Sequence, residues 1–548
     1  MFQVKCKDVM QTYENEVTLK EIAKDYSHFF EHDILIATVT DMYGKNSVLS
    51  ELNAKINKSC NIEFYDLTSE IGNKIYERGL IYLFIRAYYD ILGNESQVRI
   101  EHMVDNGIYI ASNISITDLI VDEIKSKMKE IVSKKIPFNK RTVYKEEAIS
   151  YFEKVGFDDK LEGLKYISTD YITLYEFSHM FNYFNGQMPI NSSVLKYFNL
   201  VKLCDTGFVL SKPSVYDANH VSDYNYHINL HNAFDNYLEY ISNINVLNSY
   251  DLNEKILNNE LNNLIYMDEV RHNIELSGVI NKIFDKKEAK VVLLAGPSSS
   301  GKTTTCRNLN RLCNLYGIKA HQISLDDYYL DRHQMIKEAN GEYDFEKLES
   351  LDIELFNRDL QKLLNGMGVN LPKYNFAKAK KEFDNKKTVL GNNDIIIIEG
   401  IHALNDKLTM SIDPKNKFKI YISPFTEINL DNHTMISSED NRLLRRLVRD
   451  NNFRETSPSD TFKMWPKVRF GEDKYILEKG KNVDAIINSS LIYEFSILKV
   501  YAEPLLYAIN PDDFGYHEAR RLLSVLKRFL PAPSTVVPQS SVLREFIG

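Results

Sequence analysis

The chain has 548 residues, more than a single hydrophobic core usually supports, so its length predicts two to four domains. A formal net charge of -9 argues against a protein that coats nucleic acid, although a local basic face remains compatible with it. No apolar run approaches the roughly 18 residues that span a bilayer, and the first ten residues lack the apolar core of a signal peptide. We therefore expect a cytoplasmic protein without membrane attachment.

The N-terminal half predicts two small domains and a connector. Residues 1–61 combine short alternating segments with the helical stretch TLKEIAKDY, where Thr18 can cap the helix and Glu21 completes a capping box. This pattern favours a β-grasp-like domain. Residues 62–228 alternate strand-like and long helical segments, which predicts an α+β domain. Residues 229–280 show helical spacing throughout and predict a helical connector.

From residue 281 to 548 strands alternate with helices, which predicts an α/β domain with a parallel, doubly wound sheet. Its most informative segment is VVLLAGPSSSGKTTTCR. Val291 to Ala295 predicts a buried strand, and the next eight residues match the phosphate-loop pattern G-x-x-x-x-G-K-[ST]. The alternative is a glycine-serine turn that fits by chance. The strand before the loop and the helix-compatible residues after it favour a nucleotide-binding loop.

The chemistry of the loop assigns roles to its residues. Glycines let backbone amides approach phosphate oxygens, and the following helix adds the positive end of its dipole. Lys302 is expected to reach the β- and γ-phosphates, and the Thr303 hydroxyl is expected to bind Mg²⁺. The residues expected to bind ATP are Gly296, Ser298, Ser299, Ser300, Gly301, Lys302, Thr303 and Thr304.

Two later strand-like runs end in carboxylates, at the sheet edge where open α/β folds bind ligands. AHQIS leads into Asp326, which could accept the proton of an attacking hydroxyl group. Alternatively, Asp326 caps the next helix or binds only Mg²⁺. The run DIIIIEG ends at Glu399, which resembles a Walker B residue and is expected to bind Mg²⁺ directly or through water.

The segment NRLLRRLVRD predicts a helix with an arginine face. Its arginines stand at i, i+3, i+4 and i+7: Arg442, Arg445, Arg446 and Arg449. Such a face could close over the transferring phosphate and neutralise charge in the transition state. The alternative is a solvated face paired with neighbouring carboxylates. The nearby nucleotide-binding motifs favour the first interpretation.

Together these motifs resemble the uridine kinases and the related phosphoribulokinases. The segments GPSSSGKTT, LDDYY, YDFEKLESLD, PKYNF, IIIIEGIHAL and NRLLRRLVRD follow that family's order from residue 290 to about 490. The resemblance implies transfer of the γ-phosphate of ATP, with Mg²⁺, to the 5′-hydroxyl of a nucleoside. It implies catalytic roles for Asp326, Lys302, Arg445, Arg446 and Arg449. It implies acceptor binding by Asp326, Tyr329, Glu346, Tyr374 and Arg445, with Glu346 holding ribose hydroxyls and Tyr374 lining the base pocket.

Some positions depart from that family. Glu346 stands where uridine-cytidine kinases have aspartate, and residues 377–380 replace the segment with the histidine that reads the pyrimidine edge. The preferred base therefore stays open. Arg454 and Glu455 stand where the family usually has Arg-Gly, so the turn after the arginine face is expected to differ.

The N-terminal half resembles the TGS and second additional domains of threonyl-tRNA synthetase, and the whole layout is similar to long bacterial-type nucleoside kinases. In the synthetase, an H-x-x-x-H pair and a C-x-x-x-H pair form an editing site. The matching residues here are Arg78, Tyr82, Phe184 and Met188. Because all four differ from metal ligands, we expect neither metal binding nor editing hydrolysis there.

Three roles stay open for that half: packing against the kinase-like part or forming a homo-oligomer contact, shaping the nucleoside pocket or the arginine face, and binding RNA. RNA binding would use the basic stretch from Lys125 to Arg141. For the whole chain we expect a nucleoside kinase with a small-molecule nucleoside as partner. The alternatives are a kinase of another sugar-like alcohol, and a nucleotide-gated RNA-binding or regulatory protein.

Overall fold

A computed structural model describes residues 1–337, 343–376, 378–383, 386–426, 428–477, 480 and 482–548. Ala377, in the segment where the base-reading histidine is replaced, lies outside the described residues. In the part of the chain that the structure describes, no helix combines the length and apolarity needed to cross a membrane.

The first unit is a five-stranded sheet, in the order β2-β1-β7-β4-β5, packed on one helix. Its elements are β1 (Phe2–Cys6), β2 (Val9–Tyr13), β3 (Val17–Thr18), α1 (Leu19–Tyr26), β4 (Ile36–Asp41), β5 (Val48–Ser50), β6 (Lys55–Ile56) and β7 (Cys60–Tyr65). The predicted capping box of Thr18 and Glu21 is present. Because β7 pairs with both β1 and β4, the predicted boundary at residue 61 falls within a strand, and the sheet ends at Tyr65 instead.

The second unit combines a four-stranded antiparallel sheet, β13-β14-β9-β8, with a three-stranded one, β10-β11-β12. Its strands are β8 (Val98–Val104), β9 (Gly107–Ser112), β10 (Asn139–Tyr144), β11 (Tyr171–Phe177), β12 (Met180–Asn182), β13 (Asn199–Cys204) and β14 (Gly207–Ser211). Its helices are α2 (Glu70–Leu92), α3 (Asp118–Ser133), α4 (Lys145–Val155) and α5 (Asp158–Lys165). Most of α2 is apolar and buried, so this helix forms the centre of the unit's core.

Three helices follow: α6 (Ile228–Asn243), α7 (Ser249–Leu257) and α8 (Leu261–Asp285). Residues 229–280 are thus largely helical, as their spacing predicted. Buried residues of these helices join the core of the C-terminal part, with Leu264 and Ile265 among them. The connector is therefore packed structure and not a free linker.

The C-terminal part contains a five-stranded sheet in the order β16-β19-β15-β20-β21, and every pairing in it is parallel. Its strands are β15 (Val291–Ala295), β16 (Ala320–Ser324), β19 (Ile395–Glu399), β20 (Lys417–Ser423) and β21 (Ala485–Asn488), while β17 (Pro372–Asn375) and β18 (Lys380–Phe383) form a separate hairpin. Its helices are α9 (Lys302–Leu315), α10 (Ile353–Leu364), α11 (Asp406–Thr409), α12 (Ser438–Phe453), α13 (Pro458–Glu472), α14 (Glu494–Tyr507), α15 (Tyr516–Leu526) and α16 (Arg544–Ile547).

Alternate residues of the central strand β15 pack on opposite faces of this sheet. Val291 and Leu293 belong to one apolar cluster, while Val292 and Leu294 belong to another. Strands buried on both faces read as continuous apolar runs, which is why the sequence pattern identified this strand. The fold is therefore the predicted α/β class with a doubly wound parallel sheet, preceded by a β-grasp-like unit and an α+β unit.

A clamped segment, Asn429–His433, joins the N-terminal part to the helix that carries the arginines. Its Asp431 Oδ1 lies 2.6 Å from Lys160 Nζ of α5, and both side chains are almost fully buried. The Ile100 N–H donates to the Asn432 carbonyl over 2.8 Å, and Asn429 Nδ2 donates back to the Ile100 carbonyl over 2.6 Å. The second unit thereby fixes the chain a few residues before α12 begins.

Candidate active site

The phosphate loop follows β15 and ends where α9 begins. Ser299 and Gly301 have φ of 61° and 82°, left-handed conformations that turn successive backbone N–H groups inward. A Cβ atom on Gly296 would lie 2.1 Å from the Ile422 carbonyl oxygen, so only glycine fits at the start of the loop. Lys302 Nζ donates to the Gly296 and Pro297 carbonyls over 2.9 and 2.8 Å. The lysine is thus folded over the loop that it is expected to serve.

Thr303 and Glu399 meet beside this loop, although 96 residues separate them. The Thr303 hydroxyl donates to Glu399 Oε1 over 3.3 Å, and Glu399 is almost fully buried at the end of β19. Burial, reinforced by the nearby Asp326 carboxylate, raises the pKa of Glu399 to about 7. A hydroxyl and a carboxylate are oxygen ligands that suit Mg²⁺, which takes its remaining ligands from phosphates and water. The two residues therefore fit the predicted metal role.

Asp326 and Asp327 follow β16 and face different partners. Asp327 accepts hydrogen bonds from the Tyr374 N–H over 3.2 Å and from Lys373 Nζ over 3.1 Å, so it holds the β17–β18 hairpin. Burial raises the pKa of Asp326, while the positive charge of Lys302 opposes that rise. The structure thus places Asp326, and not Asp327, on the side of the phosphate loop.

An aromatic cluster stands beside Asp326. The Tyr329 and Tyr374 ring centroids lie 5.7 Å apart, and the Tyr374 and Phe376 centroids lie 5.0 Å apart. The Tyr329 hydroxyl donates to the Phe345 carbonyl over 3.0 Å, which fixes the ring. Phe376 is 61 % exposed, so the cluster presents an open aromatic surface next to fixed tyrosines. Sequence reasoning did not single out Phe376, although its place in the motif PKYNF was the available signal.

Glu346 completes the acceptor side. The side chain lies close to the carboxylates of Glu472 and Asp326 and to the guanidinium of Arg446. Burial is the main reason why its pKa is raised to about 7, and the Glu472 charge adds to the rise. His402 Nε2 lies 2.9 Å from the Glu346 carbonyl oxygen, within hydrogen-bonding distance.

Glu346→Gln is expected to stabilise the protein in neutral and alkaline solution. Between the ordinary glutamate pKa of 4.5 and the folded-state value of about 7, the folded protein keeps a proton that the unfolded chain has lost. Wild-type stability therefore falls as pH rises through this window, and the neutral glutamine avoids that loss. At about 1.4 kcal/mol per pKa unit, the gain at pH 8 is on the order of 1–3 kcal/mol and vanishes near pH 4.

The measurement is urea denaturation of both proteins at pH 4 and pH 8. The matched control is Glu349→Gln, because Glu349 is an exposed glutamate on the same segment. A gain of the same size at both pH values, or the same gain in the control, would contradict the assigned electrostatics.

The predicted arginine face is turned toward the phosphate loop. Arg446 Nη1 donates to the Ser298 hydroxyl over 2.8 Å, and Arg442 Nη1 lies 3.5 Å from the Ser298 carbonyl oxygen. Arg449 pairs with Asp450 at 3.0 Å. The helix thus brings Arg442 and Arg446 to the loop, while Arg449 is paired with a carboxylate of the same helix.

Arg445 is placed differently from its predicted role. The side chain is 0 % exposed, and its Nε donates to Glu494 Oε2 over 2.7 Å. Another nitrogen of the same guanidinium donates to the Ser489 carbonyl over 2.7 Å. A buried ion pair to Glu494 occupies the Arg445 guanidinium in this conformation, so contact with the substrate stays a prediction. Its place against the Ser299 carbonyl makes it a brace for the loop.

The turn after α12 passes through Arg454 and Glu455. Glu455 has a φ of 51°, the left-handed conformation that glycine adopts most readily. The turn thus has a backbone suited to the glycine that the related family carries, but with a glutamate in its place.

Two carboxylates that bind the phosphate loop and the start of α9 were not predicted from the sequence. Glu472 Oε1 accepts a hydrogen bond from the Ser298 N–H over 2.7 Å, and Glu545 Oε2 accepts one from the Thr304 N–H over 3.2 Å. These contacts join residues 174 and 241 positions apart, so no local spacing could have revealed them. A lone acidic residue in the apolar segment VLREFIG was the only available signal for Glu545.

The segment that carries the phosphate loop, the acidic strand end and the arginine helix matches a known family model. That model is the phosphoribulokinase / uridine kinase family, and it covers residues 291–492. This part of the chain is a domain of that family. As a domain, it is a P-loop kinase, and such kinases in general use ATP and Mg²⁺.

Two relatives show how far the likeness of this domain extends. The chain is 28 % identical over 198 residues to the uridine kinase of Staphylococcus haemolyticus, covering 36 % of this chain and 86 % of that protein. It is 29 % identical over 204 residues to mouse uridine-cytidine kinase-like 1, covering 37 % of this chain and 34 % of the mouse protein. The chain thus spans only about a third of the mouse protein.

A further likeness concerns the N-terminal region. The chain is 28 % identical over 196 residues to the threonine–tRNA ligase of Francisella tularensis, covering 35 % of this chain and 30 % of the ligase. The positions that match the ligase editing residues are filled by packed side chains. Tyr82 is fully buried and its hydroxyl donates to the Tyr175 carbonyl over 2.8 Å, while Met188 is 1 % exposed.

The other two of these positions, Phe184 and Arg78, are also held by contacts within the protein. The Phe184 and Tyr82 ring centroids are 5.0 Å apart, and Arg78 Nη1 donates to the Gln187 carbonyl over 2.5 Å. Within the described ranges, no three His, Cys, Asp or Glu side chains are grouped to bind a metal ion. Part of the basic stretch is paired: Lys127 and Lys134 bind Glu130, and Arg141 lies 3.9 Å from Glu147.

Proposed function

We propose that the protein is an ATP-dependent nucleoside kinase that phosphorylates the 5′-hydroxyl of a nucleoside. The observation that carries the proposal is the position of Asp326 near two features. Asp326 is close to Lys302 of the phosphate loop and also to Tyr329, which belongs to the aromatic cluster with Tyr374 and Phe376. Such a cluster suits a planar base, because aromatic rings stack on bases irrespective of their hydrogen-bonding edges.

In the proposed reaction the acceptor hydroxyl attacks the γ-phosphorus atom, and Asp326 accepts the hydroxyl proton. A bond forms between the acceptor oxygen and phosphorus, the bond from phosphorus to the β,γ-bridging oxygen breaks, and ADP leaves. Lys302 and Arg446 stabilise negative charge on the phosphates. Thr303 and Glu399 would hold Mg²⁺, which supplies further charge neutralisation when it is bound.

Glu346 supports a polyhydroxylated acceptor. Its carboxylate, partly protonated near neutral pH because its pKa is about 7, can both accept and donate hydrogen bonds to neighbouring hydroxyl groups. This feature would also suit a kinase of another sugar-like alcohol. The exposed aromatic surface of Phe376 favours the nucleoside, since a sugar alone offers no planar ring to cover it.

A panel assay tests the proposal. The full-length protein is incubated with ATP, Mg²⁺ and one of uridine, cytidine, adenosine, guanosine, inosine or thymidine, and monophosphate formation is followed by chromatography. We expect product with at least one nucleoside and none with Lys302→Ala, which removes the loop cation. ATP turnover that ignores every nucleoside would refute the proposal and favour another acceptor.

A nucleotide-gated RNA-binding protein is the competing class. It would need a basic surface free to contact phosphates, whereas Lys127 and Lys134 of the basic stretch are paired with Glu130. RNA binding that weakens with salt and responds to ATP would support this alternative.

A further inference from the structure

The C-terminal segment, Ser541–Ile547, packs against the phosphate loop. A Cβ atom on Gly301 would lie 2.3 Å from Cγ1 of Val542, so the Val542 side chain packs directly on the Gly301 backbone. Leu543 and Phe546 are 0 % exposed, and Phe546 lies under the Arg445 guanidinium at 5.1 Å. The segment is therefore fixed in place, and its side chains belong to the surroundings of the loop.

Glu545 of this segment binds the loop helix through two hydrogen bonds. Its Oε2 accepts one from the Thr304 N–H over 3.2 Å and one from the Thr304 hydroxyl over 3.0 Å. Among the described residues, no lysine or arginine nitrogen forms an ion pair with this carboxylate within 4 Å. The carboxylate is thus held directly by donors of Thr304, while the nearby Lys302 charge acts on it from beyond ion-pair distance.

The order of the binding groups along a phosphate loop indicates which phosphate the Thr304 donors would bind. Its lysine reaches the β- and γ-phosphates, and the backbone N–H groups at the start of the helix cradle the α- and β-phosphates. Thr304 comes two residues after Lys302, in the first turn of α9. Its N–H and hydroxyl therefore face the α-phosphate end of a bound nucleotide, where the Glu545 carboxylate now lies.

We propose that Glu545 sets the affinity for the donor nucleotide by competing with the α-phosphate for the donors of Thr304. The inference rests on the proposed function, because it takes this loop as the nucleotide site. Two anions cannot share these donors without repulsion, so the carboxylate turns away when a nucleoside di- or triphosphate binds. It returns when ADP leaves, which favours product release.

Glu472, the other carboxylate that contacts the loop, differs from Glu545 because arginines pair with it. Glu472 also accepts a backbone hydrogen bond, but Arg442 and Arg469 pair with it at 2.6 and 3.2 Å. The two arginines neutralise the charge of Glu472. A bound nucleotide phosphate is therefore repelled less by Glu472 than by Glu545. Among the described residues Glu545 forms no such ion pair, and this difference makes its charge the one that opposes the nucleotide.

The test is calorimetric titration of the full-length protein and its Glu545→Gln variant, without any nucleoside acceptor. The probes are ADP with Mg²⁺ and pyrophosphate with Mg²⁺, since pyrophosphate can fill the β and γ positions alone. We expect the variant to bind ADP about tenfold more tightly, which corresponds to about 1.4 kcal/mol. Pyrophosphate affinity is expected to change less than twofold.

Two further variants serve as controls for this titration. Glu545→Ala removes the carboxylate entirely and is expected to give the same gain, which covers poor folding of the glutamine variant. Glu503→Gln removes a glutamate of α14 that pairs with Lys499 at 3.5 Å, and its ADP affinity is expected to match the parent.

Unchanged or weaker ADP binding in both Glu545 variants would overturn the proposal, and so would an equal gain for pyrophosphate. A parent that binds no nucleotide would refute the proposed function together with this inference. A parent that binds ADP but phosphorylates no nucleoside would refute the proposed acceptor alone.

Discussion

Asp326→Asn is expected to lower kcat for phosphoryl transfer about 10²–10⁴-fold, the usual contribution of a positioned general base. Asparagine keeps the shape of the side chain but cannot accept the hydroxyl proton. The loop residues that bind the phosphates are untouched, so ATP affinity is expected to stay within a few-fold of the parent. Single-turnover kinetics and calorimetric titration with ATP together measure both quantities.

The matched control for this variant is the neighbouring Asp327→Asn. Asp327 holds the Tyr374 N–H and Lys373 of the β17–β18 hairpin, so its replacement should loosen the aromatic cluster and raise the acceptor KM more than it lowers kcat. If Asp326→Asn retained kcat within fivefold of the parent, the proton acceptor would have to be another group.

Lys160→Met is expected to destabilise the protein by about 3–5 kcal/mol, because it leaves the Asp431 carboxylate buried without its cation. Burial alone would raise the pKa of Asp431, and the Lys160 ammonium outweighs that effect and holds it below its ordinary value. Loss of the lysine removes this compensation in a site where Asp431 is 0 % exposed. Urea denaturation of full-length protein measures the loss.

The double variant Lys160→Met with Asp431→Asn serves as the control. It removes both charges, so much of the lost stability should return, although the asparagine still has to satisfy the His433 N–H that Asp431 Oδ1 accepts over 3.0 Å. A single variant as stable as the parent, or a double variant no better than the single one, would show that the ion pair contributes little.

The parts of the site that local sequence could predict are those built from consecutive residues. The strand Val291–Ala295, the loop and the start of α9 follow one another along the chain, and strand burial plus glycine placement identify them. Glu399 was found in the same way, since a continuous apolar run ends in a carboxylate. The structure brings Glu399 to Thr303, as the topology of a parallel sheet requires.

Contacts between distant segments escaped prediction because sequence spacing carries no signal for them. Arg445 shares the periodicity of the arginine face, yet the position of Glu494 decides that its guanidinium is buried. Glu545 reaches Thr304 across 241 positions, and Lys160 reaches Asp431 across 271. The predicted boundary at residue 61 lies inside β7 for the same reason, because only pairing with β1 and β4 shows where this strand belongs.

The ion pair between Lys160 and Asp431 also sets an order of events during synthesis. Its partners are 271 positions apart, so a ribosome adding about 5–20 residues per second makes Asp431 roughly 15–50 s after Lys160. During that interval Lys160 lacks its ion-pair partner Asp431, so we expect its ammonium group to stay hydrated and to keep the pocket around it open. We therefore expect the N-terminal half of a nascent chain to complete its packing only after the segment that leads into the arginine helix has been made.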